Sequence, residues 1–111
     1  MPSSKLTREK IIDAALELTE RGRGGSFSLR ELAQSLDVKA ASLYNHFAGL
    51  AQIQEETALR IVKMLNKALK EAADGKERDE AFLAAARAYR AFAKDYPGQL
   101  RAYAKNHKKL R

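Results

Sequence analysis

Side chains equipped for recognition chemistry gather in one stretch, residues 28–47, which reads SLRELAQSLDVKAASLYNHF. Ser28, Arg30, Lys39, Ser42, Tyr44, Asn45 and His46 all carry hydrogen-bond donors there, or can carry them. They alternate with Leu29, Leu32, Ala33, Leu36, Val38 and Leu43. Such a set can hydrogen-bond and present charge, but it cannot make or break a bond unaided. The parts a catalyst would need are missing. His46 and His107 are the 2 histidines and there are 0 cysteines, so neither a metal site of ordinary spacing nor a nucleophile with its base assembles. The adjacent acids Glu55-Glu56 and Asp79-Glu80 are expected to be solvated faces or favourable charges at helix starts. An enzyme is not expected, and no cofactor.

The elements that must position these residues are helices throughout, since no stretch sustains period-2 alternation of β-branched residues. Thr7 is a suitable N-cap for a first helix reaching about Arg21. Ile11, Ala15 and Leu18, flanked by Ile12, Leu16 and Thr19, form its broad apolar stripe. Gly22, Gly24 and Gly25 are expected to end it, because glycine readily takes the left-handed conformation that closes a helix. Ser28-Leu29-Arg30-Glu31 is a capping box that starts a second helix, with Leu29, Leu32, Ala33 and Leu36 at helical spacing. Asp37-Val38 breaks it, and a third short helix spans about Lys39 to Phe47. After Gly49 a long amphipathic helix runs from about Leu50 to Ala73, with Ile53, Thr57, Ile61, Met64, Leu65, Ala68 and Ala72 following one face. Gly75 to Arg78 is a polar connector. Asp79 can cap a fifth helix whose stripe is Phe82, Ala86, Tyr89 and Ala93, with Leu83 and Phe92 beside it. That helix stops before Tyr96-Pro97-Gly98, and Gln99 to Arg111 forms one more short basic helix or frays.

The chain of 111 residues has room for one modest domain, or a small head with part of a second. Its 45% apolar content is that of a globular protein. Apolar runs are short and broken by charges, so no bilayer span and no membrane partner are expected, and the start Met1-Pro2-Ser3-Ser4-Lys5 lacks an apolar segment of signal-peptide type. Lack of cysteine fits a cytoplasmic protein. Net charge is +7, but the excess is not in the informative stretch. Residues 1–47 carry 7 Lys/Arg against 6 Asp/Glu, residues 48–98 carry 9 against 8, and residues 99–111 carry 5 against 0. Charge alone therefore makes no case for nucleic acid; pattern and geometry must.

Two short helices joined by a tight turn, with their leucines turned inward on the first helix, leave the third helix projecting. That is the geometry of a helix-turn-helix. One helix fits the DNA major groove, about 12 Å wide, while the helix before it crosses the backbone. The segment REKIIDAALELTERGRGGSFSLRELAQSLDVKAASLYNHFAGL resembles, in order, the DNA-binding head of the TetR (tetracycline-repressor) family of bacterial transcription regulators. The likeness covers Thr7 to about Leu65: an alanine-rich first helix, a glycine turn, an aromatic before the cap, "LRELA", a short turn ending in Val, and "SLY.HF". RAYRAFAKDYPG also resembles the start of the ligand-binding domain in one branch of that family.

The resemblance implies a head over residues 5–65 and a partial regulatory domain over 66–111. It implies a sequence-specific regulator, a repressor by family habit, whose recognition helix spans about residues 39–47. Arg30 would reach a base, for which guanine O6 and N7 suit its fork. Ser28 and Ser42 would donate to phosphates, and Tyr44 and His46 would pack on or bond the backbone. Lys39, Ala40 and Ala41 would open the recognition helix, where amides favour phosphate and the two alanines offer only apolar contact. Asn45 would share polar discrimination with Arg30 and Lys39. One position departs from the pattern: Leu50 stands where the family often has a basic residue, so binding should be weaker, with a shallower salt dependence.

Each residue also has a plainer reading. The leucines and Phe47 are core, Tyr44 is a half-buried aromatic with a surface hydroxyl, and His46 is a surface or capping histidine. Phe82, Tyr89, Phe92 and Tyr96 are core aromatics, although the resemblance allows a ligand pocket for a small-molecule effector. The basic tail KNHKKLR is a solvated end. The resemblance further implies a near-palindromic double-stranded operator read by a homodimer, yet the chain stops before the family's usual dimer helices. The alternative function is a module without DNA affinity that pairs with a longer relative through residues 50–96, using the exposed apolar face of the fourth helix.

Overall fold

A computed structural model describes residues 5–109 of the chain, with side chains through Lys105. Met1 to Ser4, the end of the basic tail at Leu110-Arg111, and the side chain of His107 lie outside that description. The fold is all-α: α1 (Arg8–Arg21), α2 (Leu29–Ser35), α3 (Ala40–Leu43), α4 (Leu50–Ala73), α5 (Arg78–Asp95) and α6 (Pro97–Lys109).

α1 starts as its sequence dictates, with the Thr7 hydroxyl oxygen accepting from the Lys10 amide at 3.1 Å. It buries Ile11, Ile12, Ala15 and Thr19. Its end differs from expectation. Gly22 has φ −79, and the left-handed residues are Arg23 (φ 53) and Gly24 (φ 87). The glycine at 24 also answers to packing, since a Cβ there would lie 2.7 Å from the Arg101 Cβ of α6.

The first four helices share a core. Ile11, Ile12, Ala15, Phe27, Leu32, Ala33, Leu43, Phe47 and Ile53 form one buried cluster drawn from α1 to α4. Leu29, Leu36, Val38, Ala40 and Leu50 pack at its edge. Two ion pairs lace α1 to α4 beside it, Arg8 with Glu56 and Arg60 with Asp13.

α4 occupies its expected span, and α5 folds back along it after a connector in which Gly75 (φ 72) reverses the chain. The face of α5 is the main correction. Ala81, Ala84, Ala85 and Ala88 are half-buried and Phe92 is buried, whereas Phe82, Leu83, Ala86 and Tyr89 are exposed. Small residues let two helix backbones approach closely, so the alanine stripe packs inward and the aromatic stripe turns out.

α6 begins at Pro97, a residue suited to the first helical position because its missing N–H needs no partner. It returns to α1, where the Glu20 carboxylate accepts from the amides of Gly98 (3.0 Å) and Gln99 (3.1 Å). The buried Gln99 donates from Nε2 to the Leu16 carbonyl at 2.6 Å.

Candidate nucleic-acid interface

α2 is short and depends on its start. The Ser28 oxygen accepts from the Glu31 amide at 3.0 Å while Glu31 Oε1 accepts from the Ser28 amide at 3.2 Å, closing the capping box. The Ser28 hydroxyl proton stays available to an outside acceptor. Arg30 follows two residues on, exposed, with no ion pair to a described residue. Leu32 and Ala33 hold the opposite side of α2 in the core. Asp37 then takes φ 55, a conformation that Asp tolerates better than most residues, and the Val38 amide donates back to the Ala33 carbonyl at 3.0 Å. The turn between α2 and α3 is thereby fixed.

α3 is shorter than expected. Regular α-helix covers Ala40–Leu43, and the chain continues to Phe47 through tighter turns. Asn45 and His46 donate to the carbonyls three residues back, at 3.3 and 3.0 Å, before Phe47 closes on Leu43 at 3.0 Å. Leu43 and Phe47 anchor the segment in the core, at 1% and 3% exposure. Ala40 packs against the same core, so Ala41 is the outward member of the two alanines. Lys39, Tyr44 and Asn45 are exposed, and Ser42 and His46 are half-buried. With α3 anchored at 43 and 47, helical periodicity puts Ala41 and Asn45 opposite the core, with Ser42 and Tyr44 on the flanks. The arrangement presents uncommitted donors around a short helix. Among the described residues no group of three or more His, Asp or Glu could hold a metal.

Leu50 sits half-buried at the core edge, where it contributes packing instead of charge. The aromatic set assigned to a ligand pocket is not brought together. Phe82 and Tyr89 are 73% and 49% exposed, while Phe92 is buried with its ring centroid 4.8 Å from that of Tyr96. A cavity of about 230 Å³ lies elsewhere, between the head and α6, lined by Phe27, Thr57, Ile61, Gln99 and Ala102 among others.

Sequence reasoning passed over Arg8. Its guanidinium donates to the His46 carbonyl and to Glu56, and lies 4.3 Å from the centre of the Phe47 ring. The signal was present: a cation in the first turn of a helix opposes the helix dipole and calls for a partner elsewhere. Gln52 was passed over too; its Oε1 accepts from the Ala48 amide at 2.7 Å and steadies the entry to α4.

No family model matches the chain. It is similar to an uncharacterized HTH-type transcriptional regulator of Mycobacterium tuberculosis, Rv0681, with 34% identity over 100 residues, which is 90% of this chain and 46% of that protein. It is also similar to an uncharacterized HTH-type transcriptional regulator of Bacillus subtilis, YobS, with 35% identity over 101 residues, 91% of this chain and 53% of that protein. The chain spans about half the length of these curated relatives, and both bear the name of a class that regulates transcription and is not enzymatic.

Proposed function

We propose that this chain is the DNA-reading head, with the first helices of a regulatory domain, of a TetR-type transcriptional regulator that acts as a repressor in the cytoplasm. The segment 39–47 enters the major groove. Arg30, Lys39 and Asn45 read base edges, while Ser28, Ser42, Tyr44 and His46 hold the phosphate backbone. The observation that carries this reading is the pairing of a capped α2 with a core-anchored α3, which leaves Arg30, Lys39, Tyr44 and Asn45 exposed together in one 20-residue stretch. The similarity to two proteins named as HTH-type regulators supports it. A single head spans one half-site, so a near-palindromic operator bound by a symmetric pair follows, and the regulatory helices would answer to a small-molecule effector.

The test is a titration of the chain against duplexes selected from a random pool and against scrambled controls at moderate salt. A preference for selected duplexes is expected, and Arg30→Ala should reduce discrimination at one base pair by about 1–3 kcal/mol. Equal affinity for selected and scrambled duplexes would remove the reading.

A further inference from the structure

We propose that Arg8 is the residue that positions the recognition segment, acting from α1 on the turns that follow α3. The proposal rests on the DNA-binding reading above, and part of its test is independent of it. α3 has one regular turn, too little to hold its own shape in water. Regular helix ends at Leu43 and the turns that carry the segment on end at His46, where a carbonyl beyond the helix needs a partner from elsewhere. Arg8 fills that gap from 38 residues away, donating to the His46 carbonyl from Nη1. Its second nitrogen, Nη2, is committed to Glu56 of α4, and its plane covers Phe47, the buried anchor of the segment.

One guanidinium therefore ties together α1, the end of the recognition segment and α4. A planar fork makes two directed bonds and a ring contact at once, which a lysine cannot do. Nη1 and Nη2 are each directed at a protein acceptor, so the role proposed for Arg8 is positioning and not phosphate contact. Its influence on DNA passes through the orientation of Tyr44 and Asn45. Bidentate contacts with base edges are directional, so a small tilt of the segment weakens them.

Arg8→Met keeps an apolar stem over Phe47 and removes both donors. In the intact chain its affinity for a selected duplex should fall about tenfold, while the slope of log affinity against log salt stays unchanged, because no phosphate contact is lost. Amide exchange at Asn45, His46 and Phe47 should quicken about tenfold, with Ile11 and Ala15 unaffected. Glu56→Gln, which leaves the His46 bond in place, should show the same changes at about a third of the size and serves if Arg8→Met does not fold. A salt slope reduced by about one unit would show Arg8 on a phosphate and overturn the proposal, as would exchange within twofold of wild type at residues 45–47. If wild type prefers no duplex, the DNA reading fails while the exchange comparison still decides the role of Arg8.

Discussion

Gly98→Ala is expected to have a sign opposite to the usual one. Gly98 lies in the first turn of α6, and in an unobstructed helix the exchange of glycine for alanine gains about 0.5–1 kcal/mol. Here a Cβ would sit 2.9 Å from the Thr19 carbonyl oxygen, 3.0 Å from Glu20 Cα and 3.1 Å from the Glu20 carbonyl oxygen, all backbone of the last turn of α1. Backbone cannot swing aside, so α6 must retreat by roughly 0.5 Å to restore ordinary contact. That retreat stretches the two bonds to the Glu20 carboxylate from 3.0 and 3.1 Å towards the limit of useful geometry. Overpacking costs about 1–3 kcal/mol and bonds to a charged acceptor are worth about as much, so a net loss of about 2–3 kcal/mol in α6 docking is expected after the helix gain is subtracted. Hydrogen exchange should show protection at residues 100–104 falling about 30- to 150-fold, since each 1.4 kcal/mol is a factor of ten. The head should stay folded, because its core cluster contains no residue of α6. Gly75→Ala is the comparison: φ is 72 but nothing lies within 4 Å, so its strain stays in the connector. Unchanged or increased α6 protection in Gly98→Ala would refute the close docking of α6 on α1.

Two further outcomes test the head and the orientation of α5. Ser28→Ala should cost about 1 kcal/mol in urea unfolding; Glu31→Gln should cost less, and the double variant should cost less than the sum because the two groups form one reciprocal cap. Phe82→Ser should change stability by no more than about 0.5 kcal/mol, whereas Phe92→Ala should cost about 3 kcal/mol; equal effects would mean that α5 is turned the other way.

Much of the candidate site was legible in order along the chain. Ser28 and Glu31 are three residues apart, the spacing of a capping box, and Leu29, Leu32 and Leu36 placed Arg30 off the core by spacing alone. The length of α3 was not legible. Tyr44, Asn45 and His46 are weaker helix formers than Ala40, Ala41 and Leu43, but propensity does not fix where regular helix stops, and the tighter turns end at Phe47, which is buried in the core cluster. The same limit hid Arg8, whose carbonyl acceptor lies 38 residues away.

Local signals were enough to set the helix starts at Thr7 and Ser28, the span of α4 and the all-α class, because caps and a 3.6-residue period act over a few neighbouring residues. The inward face of α5, the attachment of α6 through Glu20 and the clamp on His46 were settled only in three dimensions. On α5 an alanine face and an aromatic face are both apolar, so hydrophobicity cannot choose between them; how closely α4 approaches does. Glu20 and Arg8 find acceptors or donors that sequence distance conceals, since a buried or orphaned backbone group takes whichever partner the fold carries to it.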